Sequence, residues 1–353
     1  MRRCSKCILP ETYPGIQFDA DGVCNICHSY KKPSLKSEQE LLYILDKYRK
    51  KQGYDCIVPI SGGRESCYVL YIIKKKYKMN PIAVSYDNEF VSKQAKKNME
   101  NAVKILNVPL VIKSSRKKLR QKIVSDSVKL ALFYGVEYVV SALCSHCWLG
   151  METAVHRVAK KNNISLIIWG DSFDEEAQVE LPKQKSVSPY YSKIKILFSP
   201  LIFNYLRLHF NAYRFRAEFS DGPNSPHPRF SPGLHIFDYI NHDENEIIKT
   251  ITTHLNWSKP KDYKFPWRFD CLLARLITYI MRKRYGFSKV DITLSKMIRK
   301  GLITREEALK FVTVEDEEEF SKLIPILKKL KLSEKEIEKI HNIKPIYESS
   351  SSN

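Results

Sequence analysis

The chain has 353 residues, of which 43% are hydrophobic and 28% charged, an ordinary composition for a folded globular protein. Lys and Arg number 59 against 39 Asp and Glu, and the net charge of +20 favours polyanionic ligands such as nucleotides or nucleic acid. No apolar run is long enough to span a bilayer, and the N-terminus has no hydrophobic signal core, so the sequence predicts a cytoplasmic protein without membrane insertion.

Two Cys-X-X-Cys pairs at the N-terminus predict a metal-binding ribbon. Cys4 and Cys7 are separated from Cys24 and Cys27 by a short segment rich in turn-forming residues. Paired cysteines at this spacing are typical of a tetrahedral four-thiolate zinc site. Such a zinc would be structural, since protein thiolates fill all its positions, and it would stabilise a segment too short to build a core. Buried cysteines and rubredoxin-like iron remain as alternatives.

Strand-like apolar runs alternate with helical patterns through the middle of the chain. The predicted strands are 56–60, 82–86, 110–113 and 165–169, and the predicted helices are 66–77, 92–106, 117–133 and 151–161. This alternation predicts an α/β fold, a doubly wound parallel sheet with helices on both faces. Ligands of such sheets bind beyond the carboxyl ends of the strands.

Segment 61–66, Ser-Gly-Gly-Arg-Glu-Ser, lies where the first predicted strand turns directly into a helix. Glycines let the backbone approach an anion closely, and a helix N-terminus presents unpaired N–H groups. No Gly-Lys-Ser/Thr follows, so this is not a Walker A sequence. The pattern predicts a phosphate-binding loop, and a simple Gly-Gly turn is the alternative.

The last part of the chain carries weaker signals. Residues 178–235 combine recurrent prolines with aromatic and basic residues, as lids and binding surfaces often do. Helical patterns follow at 243–255, 270–285, 289–299, 304–312 and 333–343. The predicted domains are therefore a zinc ribbon at 1–33, an α/β domain at 34–200 and a loop-rich, helical C-terminal region at 201–353.

The loop at 61–66 resembles the PP-loop of ATP pyrophosphatases, Ser-Gly-Gly-X-Asp-Ser, where ATP is cleaved between its α and β phosphates. By this resemblance, ATP and pyrophosphate are bound by Ser61, Gly62, Gly63 and Ser66. Glu65 stands where the family usually has Asp. It keeps the carboxylate that would hold Mg²⁺ but moves it outward by about one methylene.

The resemblance to the pyrophosphatase superfamily also assigns roles after two later strands. The segment after the second strand contacts adenosine in that superfamily, and this role falls on Asp87. A Gly-Asp turn further along helps to bind Mg²⁺ and pyrophosphate, and it corresponds to Gly170 and Asp171. Glu65 and Asp171 are thus the predicted catalytic carboxylates.

A third Cys-X-X-Cys pair, Cys144 and Cys147, is expected near the same cleft, just before the predicted helix 151–161. Some PP-loop tRNA-thiolating enzymes carry such a pair at a corresponding place and use it, with one distant cysteine, to hold a [4Fe–4S] cluster. Cys271 is the best-placed third ligand in this sequence. A second zinc with His146, a redox pair and packed thiols are the other interpretations.

The chain as a whole resembles the bacterial N-acetyl sugar amidotransferases of surface-polysaccharide synthesis, which includes O-antigen and lipopolysaccharide. The resemblance rests on segment 4–15, the second cysteine pair, the loop at 61–66, and segments 285–288 and 298–309. It implies an enzyme that uses ATP and Mg²⁺ to convert an acetamido group on a nucleotide-activated sugar to an acetamidino group. The reaction would pass through an adenylated intermediate, with ammonia as the nucleophile.

The sequence offers no ammonia-producing site of its own. Residue 2 is Arg rather than the exposed Cys of a class II glutaminase, and none of the nine cysteines lies in a Gly-X-Cys-X-Gly elbow. A separate glutaminase partner is therefore implied, as in the family. The alternatives are a tRNA-thiolating or other tRNA-modifying enzyme, and a non-catalytic zinc-ribbon protein that binds nucleic acid.

Overall fold

A five-stranded parallel sheet forms the centre of the chain in the computed structural model, which describes residues 1–32, 34–115, 118–134, 137–170, 202–219, 233–261, 263, 268–312 and 316–346. The strand order is β3-β2-β1-β4-β5. The strands are β1 (Cys56–Pro59), β2 (Pro81–Asp87), β3 (Leu110–Ser114), β4 (Leu166–Trp169) and β5 (Leu234–His235). Each neighbouring pair runs parallel.

Helices surround the sheet and build the C-terminal region. Before and between the strands lie α1 (Asn25–Ser29), α2 (Glu38–Tyr48), α3 (Arg64–Lys75), α4 (Lys93–Leu106), α5 (Leu119–Tyr134), α6 (Glu137–Lys161) and α7 (Ile202–Phe219). After the sheet lie α8 (Glu244–Leu255), α9 (Leu272–Tyr285), α10 (Lys289–Lys300), α11 (Arg305–Val312), α12 (Asp316–Lys329) and α13 (Glu334–His341).

The central strands are apolar on both faces because helices cover both. Cys56 and Val58 of β1 pack with α3, α4 and α8, whereas Ile57 packs with α5 and α6. This alternation within one strand is the expected pattern for a parallel sheet buried on two sides. The predicted doubly wound parallel sheet is confirmed.

Several elements differ from their predicted extents. β5 and α7 fall inside segment 178–235, which was predicted as loop, and α12 was not predicted because Pro325 interrupts its pattern. α6 begins at Glu137 rather than at residue 151, so the third cysteine pair lies inside the helix and not before it. The predicted boundary at residue 200 stays a prediction, although the sheet itself extends past it to β5.

Gly150 lies inside α6, although glycine lowers helix propensity, because its position leaves no room for a side chain. A Cβ on this glycine would lie 2.5 Å from Cζ of Tyr86. The helix therefore accepts the propensity cost of a glycine, about 1 kcal/mol, to pack closely against β2.

The N-terminal ribbon packs on the C-terminal helices. Ile8 is fully buried in a cluster with residues of α10 and α11, and Arg3 pairs with Asp291 at 2.9 Å. The Arg305 Nε group at the start of α11 donates to the carbonyl oxygens of Cys4 and Cys7, both at 3.1 Å. Across the described ranges, no helix has the length and apolar character that a membrane crossing requires.

Candidate functional site

The loop between β1 and α3 has a backbone shape that only glycine fits at its centre. Gly62 has φ of +82°, and a Cβ there would stand 2.1 Å from the carbonyl oxygen of Ala95 in α4. Gly63 follows as the N-cap of α3. The strand thus turns within a few residues, and the first turn of α3 points its N–H groups toward the carboxyl edge of the sheet.

Two side chains from other elements hold this loop in place. The Gly62 carbonyl oxygen accepts a hydrogen bond from Asn98 Nδ2 at 3.3 Å and another from Trp257 Nε1 at 3.1 Å. Both contacts are buried, so they lie where hydrogen bonds are least exposed to competition from water. Sequence reasoning missed both residues, since each donor is far from the loop in the chain.

The two loop serines lie side by side at the start of α3. Ser61 Oγ and Ser66 Oγ are 3.3 Å apart, the Ser61 N–H donates to Ser66 Oγ at 3.2 Å, and the Gly63 N–H donates to Ser61 Oγ at 3.2 Å. Hydroxyls and N–H groups at a helix N-terminus are suitable donors to phosphate oxygens. The predicted residues 61–63 and 66 are therefore brought together.

Glu65 lies in a network of charged side chains. Its carboxylate is 2.5 Å from Arg64 Nε and 3.6 Å from His242 Nε2, and Arg64 also pairs with Glu244 at the start of α8. Burial acts to raise the pKa of Glu65, but the Arg64 charge and the His242 contact bring it down to about 2. Glu65 is thus held ionised, next to two partners that the sequence did not reveal.

A second carboxylate, Asp270, reaches the loop from the C-terminal region. Its Oδ2 lies 3.8 Å from the position that a Cβ would take on Gly63, which puts this carboxylate beside Ser61. Burial raises the pKa of Asp270 above the usual range. Residues 270–272 run beside 90–92, with the Ser92 N–H donating to the Asp270 carbonyl at 2.9 Å, which places Asp270 beside the segment between β2 and α4.

Of the residues predicted after later strands, Gly170 joins the loop. A Cβ on Gly170 would lie 3.1 Å from Val69 and 3.6 Å from the Glu65 backbone. Asp171 lies outside the described residues, as does most of segment 178–235. Asp87 ends β2, where it pairs with Lys96 at 2.8 Å and accepts the Glu89 N–H at 2.9 Å. Its predicted contact with adenosine stays a prediction.

The four N-terminal cysteines form one buried cluster. The Sγ atoms of Cys4, Cys7, Cys24 and Cys27 all lie within 4.8 Å of one another, with Cys4–Cys27 at 3.9 Å and Cys7–Cys24 at 3.8 Å. Tetrahedral Zn–S bonds of about 2.3 Å require sulfurs about 3.8 Å apart, so the donor set fits zinc. Burial acts to raise the pKa of Cys4, but the N–H groups of Cys7 and Cys24 lower it to about 7.

Two of the other predicted cysteines, Cys147 and Cys271, meet at Asn88, just beyond β2. Asn88 Nδ2 donates to Cys147 Sγ at 3.2 Å and lies 3.6 Å from Cys271 Sγ. Cys144 is exposed, one helical turn before Cys147 in α6. Burial raises the pKa of Cys147, with Asn88 and Arg120 opposing the shift, and burial raises that of Cys271 to about 12.

Comparison with known proteins gives one family model and one extensive relative. Residues 258–349 match the model described as LPS biosynthesis protein WbpG-like, C-terminal domain. The uncharacterized protein MJ1599 of Methanocaldococcus jannaschii is 34% identical over 316 residues, which is 87% of this chain and 92% of that protein.

Two solved structures have low similarity to the chain. One is the U34-tRNA thiolase NcsA from Methanococcus maripaludis with its [4Fe-4S] cluster, with a TM-score of 0.33 and 16% identity over 89% of this chain and 90% of that one. The other is NMN synthetase from Francisella tularensis, with a TM-score of 0.36 and 12% identity over 84% of this chain and 94% of that one.

Proposed function

Since this chain belongs to the family of the M. jannaschii protein MJ1599 and contains a WbpG-like LPS biosynthesis C-terminal domain, we propose that it is an ATP-dependent amidotransferase of surface-polysaccharide synthesis. Its substrate would be a nucleotide-activated sugar with an acetamido group, and its product the acetamidino sugar. The observation that carries the proposal is the loop at 61–66, where two hydroxyls, a helix N-terminus and two carboxylates meet at the carboxyl edge of the sheet.

The proposed reaction uses ATP to activate the acetamido oxygen, which is a poor leaving group by itself. The acetamido oxygen attacks the α-phosphorus of ATP and breaks the bond to the β-phosphate oxygen, which releases pyrophosphate. Ammonia then adds to the carbon of this O-adenylated intermediate, and AMP departs with the former amide oxygen. The donors at Ser61, Gly63 and Ser66 would bind the departing pyrophosphate, so that catalysis is mainly positioning and electrostatic stabilisation.

The carboxylates of Glu65 and Asp270 are suited to hold Mg²⁺ at this loop. The Asp270 carboxylate lies beside Gly63, and Glu65 is held ionised, so hard oxygen ligands lie next to the phosphate donors. When bound, Mg²⁺ would neutralise charge on the triphosphate. Arg64 and His242 would orient Glu65 through their contacts with its carboxylate.

The test is AMP formation by the purified chain with Mg·ATP and ammonium salt. We expect AMP to form when a nucleotide-linked N-acetyl sugar is present, and the Ser61→Ala variant to lose roughly ten- to a hundredfold in turnover, since one hydrogen bond to a charged oxygen is worth about 1.5–3 kcal/mol. The matched control is Ser321→Ala, which removes an exposed hydroxyl on α12 that donates to the Glu318 carbonyl oxygen.

Replacing the sugar nucleotide by tRNA tests the main alternative. AMP formation that depends on tRNA would favour a tRNA-modifying enzyme, which Cys147 and Cys271 beside Asn88 also suit. No AMP with either substrate, together with nucleic-acid binding, would favour the non-catalytic alternative. Either result would contradict the amidotransferase proposal.

A further inference from the structure

Arg64 and Glu244 form a buried ion pair behind the loop at 61–66. Arg64 is 3% exposed and Glu244 is 7% exposed, and Arg64 Nη1 donates to Glu244 Oε1. Glu244 is the first residue of α8 and lies 180 residues from Arg64 in the chain. Burying two charges removes them from water, so such a pair is a poor way to stabilise a fold by itself. The pair therefore points to a role at the adjacent loop.

The Arg64 guanidinium joins two carboxylates. Its Nε donates to Glu65 Oε1 at 2.5 Å while its Nη1 donates to Glu244. Both donors belong to one planar group, so the contact with Glu244 fixes the direction from which Nε meets Glu65. Glu65 also has one more rotatable bond than the Asp that is usual in the superfamily, so its carboxylate has more freedom to lose.

The charge of Arg64 is unfavourable for a cation at the same carboxylate. A metal ion on Glu65 would share that carboxylate with Arg64, and the two positive groups would repel each other. The Arg64 side chain is only 4% exposed, so water and salt screen this repulsion weakly. Glu244 offsets it: with both carboxylates ionised, Glu65, Arg64 and Glu244 carry one net negative charge, which favours a cation.

We propose that Glu244 is a positioning residue for ATP cleavage, which acts through Arg64 to hold the Glu65 carboxylate in place and to offset the Arg64 charge when a divalent cation binds with ATP. This role rests on the proposed binding of Mg²⁺ by Glu65. It does not depend on which substrate ATP activates. It would make Glu244 an outer partner of the metal ligand, of the kind that tunes metal affinity without touching the metal.

The test measures binding of Mn²⁺ to the full chain by EPR, with ATP present and without sugar nucleotide or ammonium. Mn²⁺ prefers the same oxygen ligands as Mg²⁺ and is a poor match for the thiolates of the ribbon. We expect Glu244→Gln to weaken Mn²⁺ binding roughly ten- to a hundredfold, as for the loss of a hydrogen bond between charged groups. The matched control is Glu246→Gln, an exposed residue in the same first turn of α8, which should bind Mn²⁺ like the parent.

A double-mutant cycle separates an effect through Arg64 from one on the packing of α8. In an Arg64→Met background, Glu244→Gln should change Mn²⁺ affinity by less than about twofold, because no Arg64 charge remains to be offset. The double variant has neither charge of the buried pair, so we expect it to fold even where Glu244→Gln alone does not. An equal loss of affinity in both backgrounds, or a clear difference between Arg64→Met and the double variant, would overturn the role of Glu244.

AMP formation by the parent distinguishes this role from the proposed reaction. If the parent forms AMP with an acetamido sugar nucleotide and Glu244→Gln binds Mn²⁺ like the parent, the positioning role is wrong and the proposed function stands. If Glu244→Gln weakens Mn²⁺ binding and no acetamido sugar nucleotide supports AMP formation, the positioning role is supported and the proposed reaction is contradicted.

Discussion

At the residue scale, Gly62 fixes the shape of the loop through both its backbone angle and its surroundings. Gly62→Ala would combine a left-handed backbone strain of about 1–3 kcal/mol with a clash against the Ala95 carbonyl. Gly53→Ala is the matched control, because Gly53 has φ of +86° but nothing within 4 Å of its Cβ position. We expect Gly62→Ala to lower the midpoint of urea unfolding clearly more than Gly53→Ala does, and equal shifts would contradict the close packing.

Asp270 and Glu65 give a second prediction at this scale. Asp270→Asn should raise the Mg²⁺ concentration needed for half-maximal AMP formation and lower turnover by roughly ten- to a hundredfold, since it removes a charged ligand. Asp46→Asn, on the exposed side of α2, is the control.

Glu65→Asp should be tolerated better than Glu65→Gln, because the superfamily usually has Asp at this position. If Glu65→Gln and Asp270→Asn both turn over like the parent, the loop is not the site of ATP cleavage.

At the scale of elements, the ribbon and α11 are joined by one side chain. Arg305 donates to the carbonyl oxygens of Cys4 and Cys7, which lie in the first cysteine turn. Two hydrogen bonds worth about 1–3 kcal/mol together would be lost in Arg305→Ala. We expect a chelator to remove zinc from this variant roughly five- to a hundredfold faster than from the parent. Arg49→Ala, whose bonds go to α2 and the turn before β2, should release zinc at the parent rate.

The elements that sequence reasoning identified are those with a strong local pattern. β1, the glycine turn and α3 are contiguous, so an apolar run, a Gly-Gly pair and a helical pattern predict them from local sequence. The paired cysteines predict the ribbon in the same way. β5 has only two residues, too few to show the apolar alternation of a strand, and it joins the sheet through pairing with β4. Asp270, Asn98 and Trp257 reach the loop from distant segments, and no local pattern marks a tertiary contact of that kind.

At the scale of the whole molecule, the buried four-cysteine ribbon and the loop at 61–66 are both connected to the C-terminal region. The ribbon packs on α10 and α11, residues 270–272 pair with the segment just after β2, and Cys147 and Cys271 meet there at Asn88. The C-terminal region therefore contributes to the candidate site directly, through Asp270 and Cys271.

The distribution of the nine cysteines leads to the last prediction. Four form the N-terminal cluster, Cys147 and Cys271 lie beside Asn88, and Cys144 is exposed on α6. Cys56 and Cys67 are fully buried, and burial raises the pKa of both thiols. A glutaminase nucleophile must be accessible and readily ionised, which the buried thiols are not, and the exposed Cys144 lies in no Gly-X-Cys-X-Gly elbow. With Mg·ATP and the acetamido sugar nucleotide, we expect ammonium salt to support formation of the amidine and glutamine alone to give none. Addition of a separate glutaminase should restore the reaction with glutamine. Amidine formed from glutamine by the purified chain alone, measured by mass spectrometry of the sugar nucleotide, would contradict the need for a partner.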